Sequence, residues 1–416
     1  MTNKKTFAMG LFAGMVAIVL IYTAIMLIVP GFLSGSINLR NASGLPAGAA
    51  DNTPRPAYPT IGNKVDDILK TLNENYVEQL DMTELSQKIY QEVAAALGDP
   101  YTNYLDAQQY MAFMEDTEGI YAGIGVMVGA NLDNNRIVIT VPFEGYPSAE
   151  AGLLPGDAIV KVNGYEVNAE MMDETVRMIK GEQGTSVELT IYRESSDETF
   201  DVTIVREIIN VPTVSHKMLD GDIGYLRITQ FERVTAHQFE ASYNELVGDG
   251  MKGLILDLRN NPGGLLSVVN YITDILVPEG IIVYTEDRYG NQTRTPSNEE
   301  HIEVPLLVLV NGYSASASEV LSGAVRDHGV GELVGTTTFG KGLVQNVYTL
   351  KDNSALRVTI AKYYTPSGVC IQDIGLEPDY EIDMDTELTV RLANLTLDED
   401  VQLKKALEVM EEKIGR

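Results

Sequence analysis

The stretch Val304-Pro305-Leu306-Leu307-Val308-Leu309-Val310-Asn311-Gly312-Tyr313-Ser314-Ala315-Ser316-Ala317-Ser318-Glu319 decides the fold. Residues 306–310 are an unbroken apolar run between a proline and an Asn-Gly pair. A run that short, bounded by turn residues, reads as a buried strand. Residues 319–326 after it read as a helix. The same succession recurs upstream, with strand 224–228 before helix 235–247 and strand 253–258 before helix 267–276. Strands alternating with helices make an α/β layer, and residues 209–382 are assigned to one such body.

Two runs within that body carry chemistry. Ser316 stands at the strand-to-helix junction, where a small hydroxyl residue is well placed for nucleophilic attack. Lys341 stands in Gly335-Thr336-Thr337-Thr338-Phe339-Gly340-Lys341-Gly342, and Gln345 follows four residues on. A serine hydroxyl is a poor nucleophile at neutral pH and needs a base. A lysine serves only when its amine is largely neutral, which burial promotes because the charged form loses more. Residues 333–346 hold no ionised group besides Lys341. Gln345 is read as the acceptor that orients the amine. In an extended strand residues four apart lie too far for this, so the chain has to bend there. The oxyanion needs backbone donors, and the amides of Ala317 and of Gly263 or Gly264 are the candidates. The two glycines close the turn Arg259-Asn260-Asn261-Pro262-Gly263-Gly264. Taken singly, each run also has a plain reading. Ser314 or Ser318 caps a helix starting at Glu319, and Gly-Lys-Gly is a turn.

The chain has 416 residues, enough for two or three domains, with 30 Lys+Arg against 59 Asp+Glu, a formal charge of -29. That acidity argues against nucleic acid, whose phosphates need a basic surface. Cys370 is the single cysteine, so no internal disulfide forms. His216, His237, His301 and His328 are scattered, and no Cys/His cluster has zinc spacing. Neither a metal nor a cofactor is expected.

Residues 7–29 contain no charge, and Lys4 and Lys5 precede them. A helix of roughly 20 apolar residues spans a bilayer, and this run exceeds the roughly 7–15 of a secretory signal's central region. Positive charge before the run, with none after it until Arg40, puts residues 1–6 in the cytoplasm and the body outside. Residues 30–60, rich in Gly, Ser, Asn, Ala and Pro, read as a linker. Residues 61–117 form a helical region with two apolar stripes. One holds Val65, Ile68, Leu69 and Leu72, the other Leu85, Ile89, Val93 and Leu97. Residues 118–208 change to short strands, among them 137–141, 158–162 and 187–192, with a helix at 174–180. The glycines of Gly119-Ile120-Tyr121-Ala122-Gly123-Ile124-Gly125 suit close approach of bare amides to a carboxylate. Residues 383–416 end in an amphipathic helix that places Leu403, Leu407, Met410 and Ile414 on one side, to cover the body or pair with another chain.

Taken together, these residues resemble the carboxy-terminal processing peptidases, membrane-anchored or exported serine proteases with an embedded PDZ domain. The resemblance covers nearly everything after the linker. Gly123-Ile124-Gly125 resembles the PDZ carboxylate loop. Ala151-Gly152-Leu153-Leu154-Pro155-Gly156-Asp157-Ala158-Ile159 with Val162-Asn163-Gly164 resembles the PDZ core motif. Asp257 to Gly264 resembles the oxyanion turn, Ser314 to Glu319 the nucleophile motif, and Thr338 to Gly342 with Gln345 the lysine motif. Thr365-Pro366-Ser367-Gly368 and Gly375-Leu376-Glu377-Pro378-Asp379 are further matches. The resemblance implies a PDZ domain embedded in an α/β Ser-Lys peptidase core, with helical arms at both ends and one N-terminal transmembrane helix. It implies that a substrate's C-terminal tail adds as a strand to the PDZ groove, its carboxylate held at Gly123, Ile124 and Gly125. Cleavage then follows at Ser316 through an acyl-enzyme. It also implies a homodimer built through the helical ends. Some members couple tail binding to the site through a PDZ arginine; here Lys180 takes that position, with Arg177 one turn earlier. Two other readings stay open: a peptide-binding scaffold without turnover, and a protease silent until a partner docks.

Overall fold

The structure, a computed structural model, describes residues 58–389, 391–392 and 395–415. The expected membrane span at 7–29 and nearly all of the linker lie outside the described residues. Among the described residues no helix is long and apolar enough to cross a membrane.

The strand quoted above, Leu306–Val310, is central to a six-stranded sheet. Its order is Val214–Leu219, Ile223–Ile228, Gly253–Asp257, Leu306–Val310, Gly331–Gly335 and Tyr380–Glu381. The first pair is antiparallel and the rest are parallel. A parallel sheet buries both faces, so its strands are apolar throughout rather than alternating. Period two then sorts the side chains. Leu254, Leu256, Leu306, Val308 and Val310 meet the helices Thr235–Gly248, Leu266–Leu276 and Ala317–Asp327. Ile255, Leu307 and Leu309 point the other way, onto Leu403, Ala406, Val409 and Met410 of the C-terminal helix Val401–Lys413. That helix therefore spends its apolar side on its own sheet, the first of the two alternatives for it.

A second sheet, of five strands, carries the lysine side of the site. Leu343–Thr349 pairs with Ala355–Tyr364, which also borders Gly280–Asp287, itself paired with Gln292–Ser297. Its remaining strand comes from far away. Asn103–Leu105 pairs with Ala355, Leu356 and Arg357. Residues 61–117 are thus not purely helical. Strand residues follow the Asp99-Pro100 turn because proline stops a helix there. Of the expected stripes, Ile68, Leu72, Val93 and Leu97 are exposed, since nothing in the described chain covers them.

Residues 120–210 form the PDZ-like unit. Ile120–Gly123 pairs with Glu207–Asn210. Six strands, from Val126–Asn131 to Glu198–Val205, and the Met172–Ile179 helix enclose a separate core of Ile137, Ile139, Ile159, Leu189 and Ile191.

Candidate active site

Ser316 is the N-cap of the Ala317–Asp327 helix, which starts two residues before the expected Glu319. Its backbone has φ 56 and ψ -107, a conformation that a side-chain-bearing residue adopts at a cost of roughly 1–3 kcal/mol. The flanking serines pin the loop to the neighbouring turn instead of capping the helix. Ser314 Oγ donates to the Leu258 carbonyl at 2.9 Å and Ser318 Oγ to that of Asn261 at 2.9 Å. Ser316 itself is 2% exposed.

The residue that joins the nucleophile loop to the lysine loop is Glu319, to which the sequence reading gave no role. Its fully buried carboxylate accepts from the amides of Ser316 (2.7 Å), Lys341 (2.9 Å) and Gly340 (2.7 Å), and from Thr338 Oγ1 (2.6 Å). Burial pushes this carboxyl up, and the four donors pull against it. The signal was in the sequence: Ser-x-x-Glu at a helix start is the capping-box pattern. Tyr363 adds a second clamp, its buried hydroxyl donating to the carbonyls of Ser316 (2.9 Å) and Lys341.

Lys341 is 8% exposed, and its amine is brought down to about 7. Burial is the largest cause and the Arg357 cation the next, while Glu319 and Asp99 pull the other way. The neutral sequence neighbourhood thus gives way to a tertiary one with charges of both signs. The Lys341 ammonium lies 4.4 Å from the centroid of the Tyr101 ring. Among the described residues no hydrogen bond joins it to Ser316 or to Gln345. Gln345 is fully buried; its Nε2 reaches Thr359 Oγ1 at 3.3 Å, and among the described residues its Oε1 has no partner. The register does shift between Val344 and Gln345, but the extra residue is Ile360 of the partner strand, since Val344 faces Ala361 and Gln345 faces Thr359.

The turn opposite Ser316 needs its glycines. A Cβ on Gly263 would lie 2.8 Å from the Ala315 carbonyl oxygen and 3.0 Å from the Ala317 amide nitrogen. One on Gly264 would lie 2.2 Å from the Phe231 carbonyl oxygen. The candidate donors are not equivalent. Of the two alternatives in the turn, the Gly263 amide is engaged by Asn261 Oδ1 at 2.9 Å. Among the described residues the amides of Gly264 and Ala317 carry no hydrogen bond, and the second opens a helix whose dipole favours negative charge.

In the PDZ-like unit, Gly123 pairs with Glu207 at the end of its strand. The Ile124 and Gly125 carbonyls are tied down by the amides of Ser148 and Phe143, both at 2.8 Å. Among the described residues their own amides are unpaired. Lys180, at the end of the Met172–Ile179 helix, donates to Glu115 Oε2 at 2.8 Å and lies 4.7 Å from the Tyr121 ring centroid. Arg177 is exposed. A residue the sequence reading missed, Arg206, caps that helix by donating to the Ile179 and Met178 carbonyls at 2.7 and 2.9 Å.

This architecture is that of a serine peptidase with a PDZ domain. Residues 222–382 match peptidase family S41 and residues 138–193 match a PDZ domain. The chain is 38% identical to a carboxy-terminal-processing protease of Bartonella bacilliformis, over 76% of this chain and 74% of that one. It is 35% identical to a carboxyl-terminal-processing protease of Synechocystis, over 82% and 80%. A solved structure of a putative S41 protease from Bacteroides fragilis shares the fold, with a TM-score of 0.51, 19% identity and coverage of 81% and 91%. The chain belongs to the carboxy-terminal-processing serine proteases of peptidase family S41.

Proposed function

We propose that the chain cleaves proteins near exposed C-terminal tails by a Ser-Lys mechanism, with its body outside the cytoplasmic membrane. In this reading Ser316 attacks the scissile carbonyl and Lys341, as the neutral amine, takes the hydroxyl proton. Gln345 Oε1 receives the amine and orients it, and Ala317 with Gly264 stabilises the oxyanion. The acyl-enzyme is released by water. A tail joins the PDZ strand Val126–Asn131 and leaves its carboxylate on the amides of the Gly123-Ile124-Gly125 turn. Lys180, bound to Glu115 outside the PDZ-like unit, is the candidate link between tail binding and the site. The segment 7–29 is read as the anchor, and the exposed stripes of the N-terminal helices as the contact between two copies.

The observation that carries this reading is the Glu319 carboxylate. It binds the Ser316 and Lys341 amides at once, so nucleophile and base are set by one buried group. Ser316→Ala and Lys341→Ala in the full chain are each expected to lower kcat/KM on β-casein by about 10³-fold or more. Turnover that survives either change overturns the mechanism.

A further inference from the structure

Beside Lys341 lies a cluster of buried polar groups, of which the mechanism above uses only Gln345 Oε1. Arg357 is fully buried, and among the described residues its Nε, Nη1 and Nη2 have no hydrogen-bond partner. Its strand partner Asn103 has an unpartnered Oδ1, and Gln345 contributes its unpartnered Oε1. The segment before Asn103 joins this cluster. Asp99 accepts from the Tyr101 amide (3.0 Å) and from Thr102 Oγ1 (2.6 Å). Thr102 Oγ1 accepts from the Thr359 amide (3.0 Å), and Thr359 Oγ1 from Gln345 Nε2 (3.3 Å). An unbroken set of contacts therefore runs from Asp99 to Gln345.

A buried cation without a hydrogen bond is costly, and folding alone gives no reason to keep it. Unsatisfied groups gathered beside a reactive amine call for a functional account. The amine lies over the face of Tyr101, where its charge is favoured, and among the described residues Gln345 Oε1 has no partner. We propose that Tyr101 and Arg357 are positioning residues for the base. Tyr101 holds the Lys341 ammonium at rest; the buried Arg357 cation favours release of its proton to water and movement of the neutral amine to Gln345. This rests on the Ser-Lys reading above.

The charged and titratable groups around the amine are few. Arg357 faces it from the Ala355–Tyr364 strand, Glu319 from the Ala317–Asp327 helix, and Asp99 and Tyr101 from the N-terminal segment. Asp373 reaches Tyr101. Burial pushes the Arg357 guanidinium down to about 9, so it is still charged at neutral pH. Removing it takes away a repulsion; removing the aromatic face takes away an attraction. The two changes must displace the amine's titration in opposite directions.

The test is kcat/KM against pH for the full chain on β-casein, with thermal melting of each variant as the check on folding. Arg357→Met is expected to move the rising limb to higher pH by about one unit, while Arg357→Lys leaves it in place. Tyr101→Leu is expected to move it to lower pH by about one unit, while Tyr101→Phe leaves it in place. A general loss of structure would not produce opposite shifts. Limbs that stay put in folded Arg357→Met and Tyr101→Leu overturn the proposal. If Arg357→Met does not fold, an unmoved limb in Tyr101→Leu overturns it by itself. Lys341→Ala separates the two claims. Turnover in that variant sinks the Ser-Lys reading, whereas an inactive Lys341→Ala beside unmoved limbs sinks only this inference.

Discussion

At the scale of single residues, a lysine amine held at about 7 when folded and at its ordinary 10.5 when unfolded couples stability to pH. Between those values the unfolded chain binds more protons, so stability rises with pH across the window. Below about 7 both states are charged and the burial cost stands in full, about 1.4 kcal/mol per unit of displacement. Lys341→Met is therefore expected to melt above the wild type at pH 7, with the gap narrowing toward 10.5. Melting temperatures across that range check it; a variant less stable at pH 7 would contradict the burial cost. A proposed base kept at the expense of stability fits a reactive centre. Ser316 shows the same economy, since its left-handed backbone is strained and is held by Glu319 and Tyr363.

At the scale of elements, the C-terminal helix and the Asn260-to-Gly264 turn are fastened by one buried cation. Arg259, 1% exposed, meets Asp257 at 2.6 Å and Asp400 at 2.7 Å, and also reaches Gln402 at 3.2 Å. Burial alone would push the Asp257 carboxyl up, but Arg259 outweighs it and holds it below the usual range. Asp400 also caps the Val401–Lys413 helix through the Leu403 amide at 2.9 Å. Asp400→Ala removes a cap and one of the two carboxylates on the buried guanidinium, leaving Asp257 as its partner, a loss of about 2–3 kcal/mol. Urea unfolding followed by circular dichroism measures it, and a change within about 0.5 kcal/mol would mean that Arg259 finds another partner. Because Arg259 leads directly into the Asn260-to-Gly264 turn, the loosened helix also loosens the proposed oxyanion donors.

At the scale of the whole molecule, the N-terminal arm, the PDZ-like unit and the peptidase core meet around Glu232. A Cβ on Gly119, where the Ala107–Glu118 helix ends and the PDZ-like unit begins, would lie 2.3 Å from Glu232 Oε2. Arg233 binds Glu118 at 2.5 Å and its amide reaches the Thr117 carbonyl at 3.1 Å. Glu232 is 7% exposed, and among the described residues its Oε2 has no hydrogen-bond partner. Burial, with the Asp116 carboxylate adding to it, pushes its carboxyl up to about 8. The folded chain then keeps a proton that the unfolded chain has lost, so stability falls as pH rises from 4.5 to about 8. Glu232→Gln abolishes that slope. Its advantage over the wild type in calorimetry should grow with pH across the window, and a constant difference would contradict the buried proton.

The α/β layer and the PDZ pattern were legible in the sequence, and so were Ser316, Lys341 and Gln345 as candidates, because apolar runs, glycine turns and short motifs are local and the chain writes them in order. The early helix start was legible too, in Ser316-Ala317-Ser318-Glu319. The partners of those residues were not. Tyr101 and Arg357 lie 240 and 16 residues from Lys341, and only the pairing of Asn103–Leu105 with the Ala355–Tyr364 strand brings all three together. Burial and Coulomb interaction act through space, so the lysine's charge state, the choice among oxyanion amides and the use of the C-terminal helix were decided by packing.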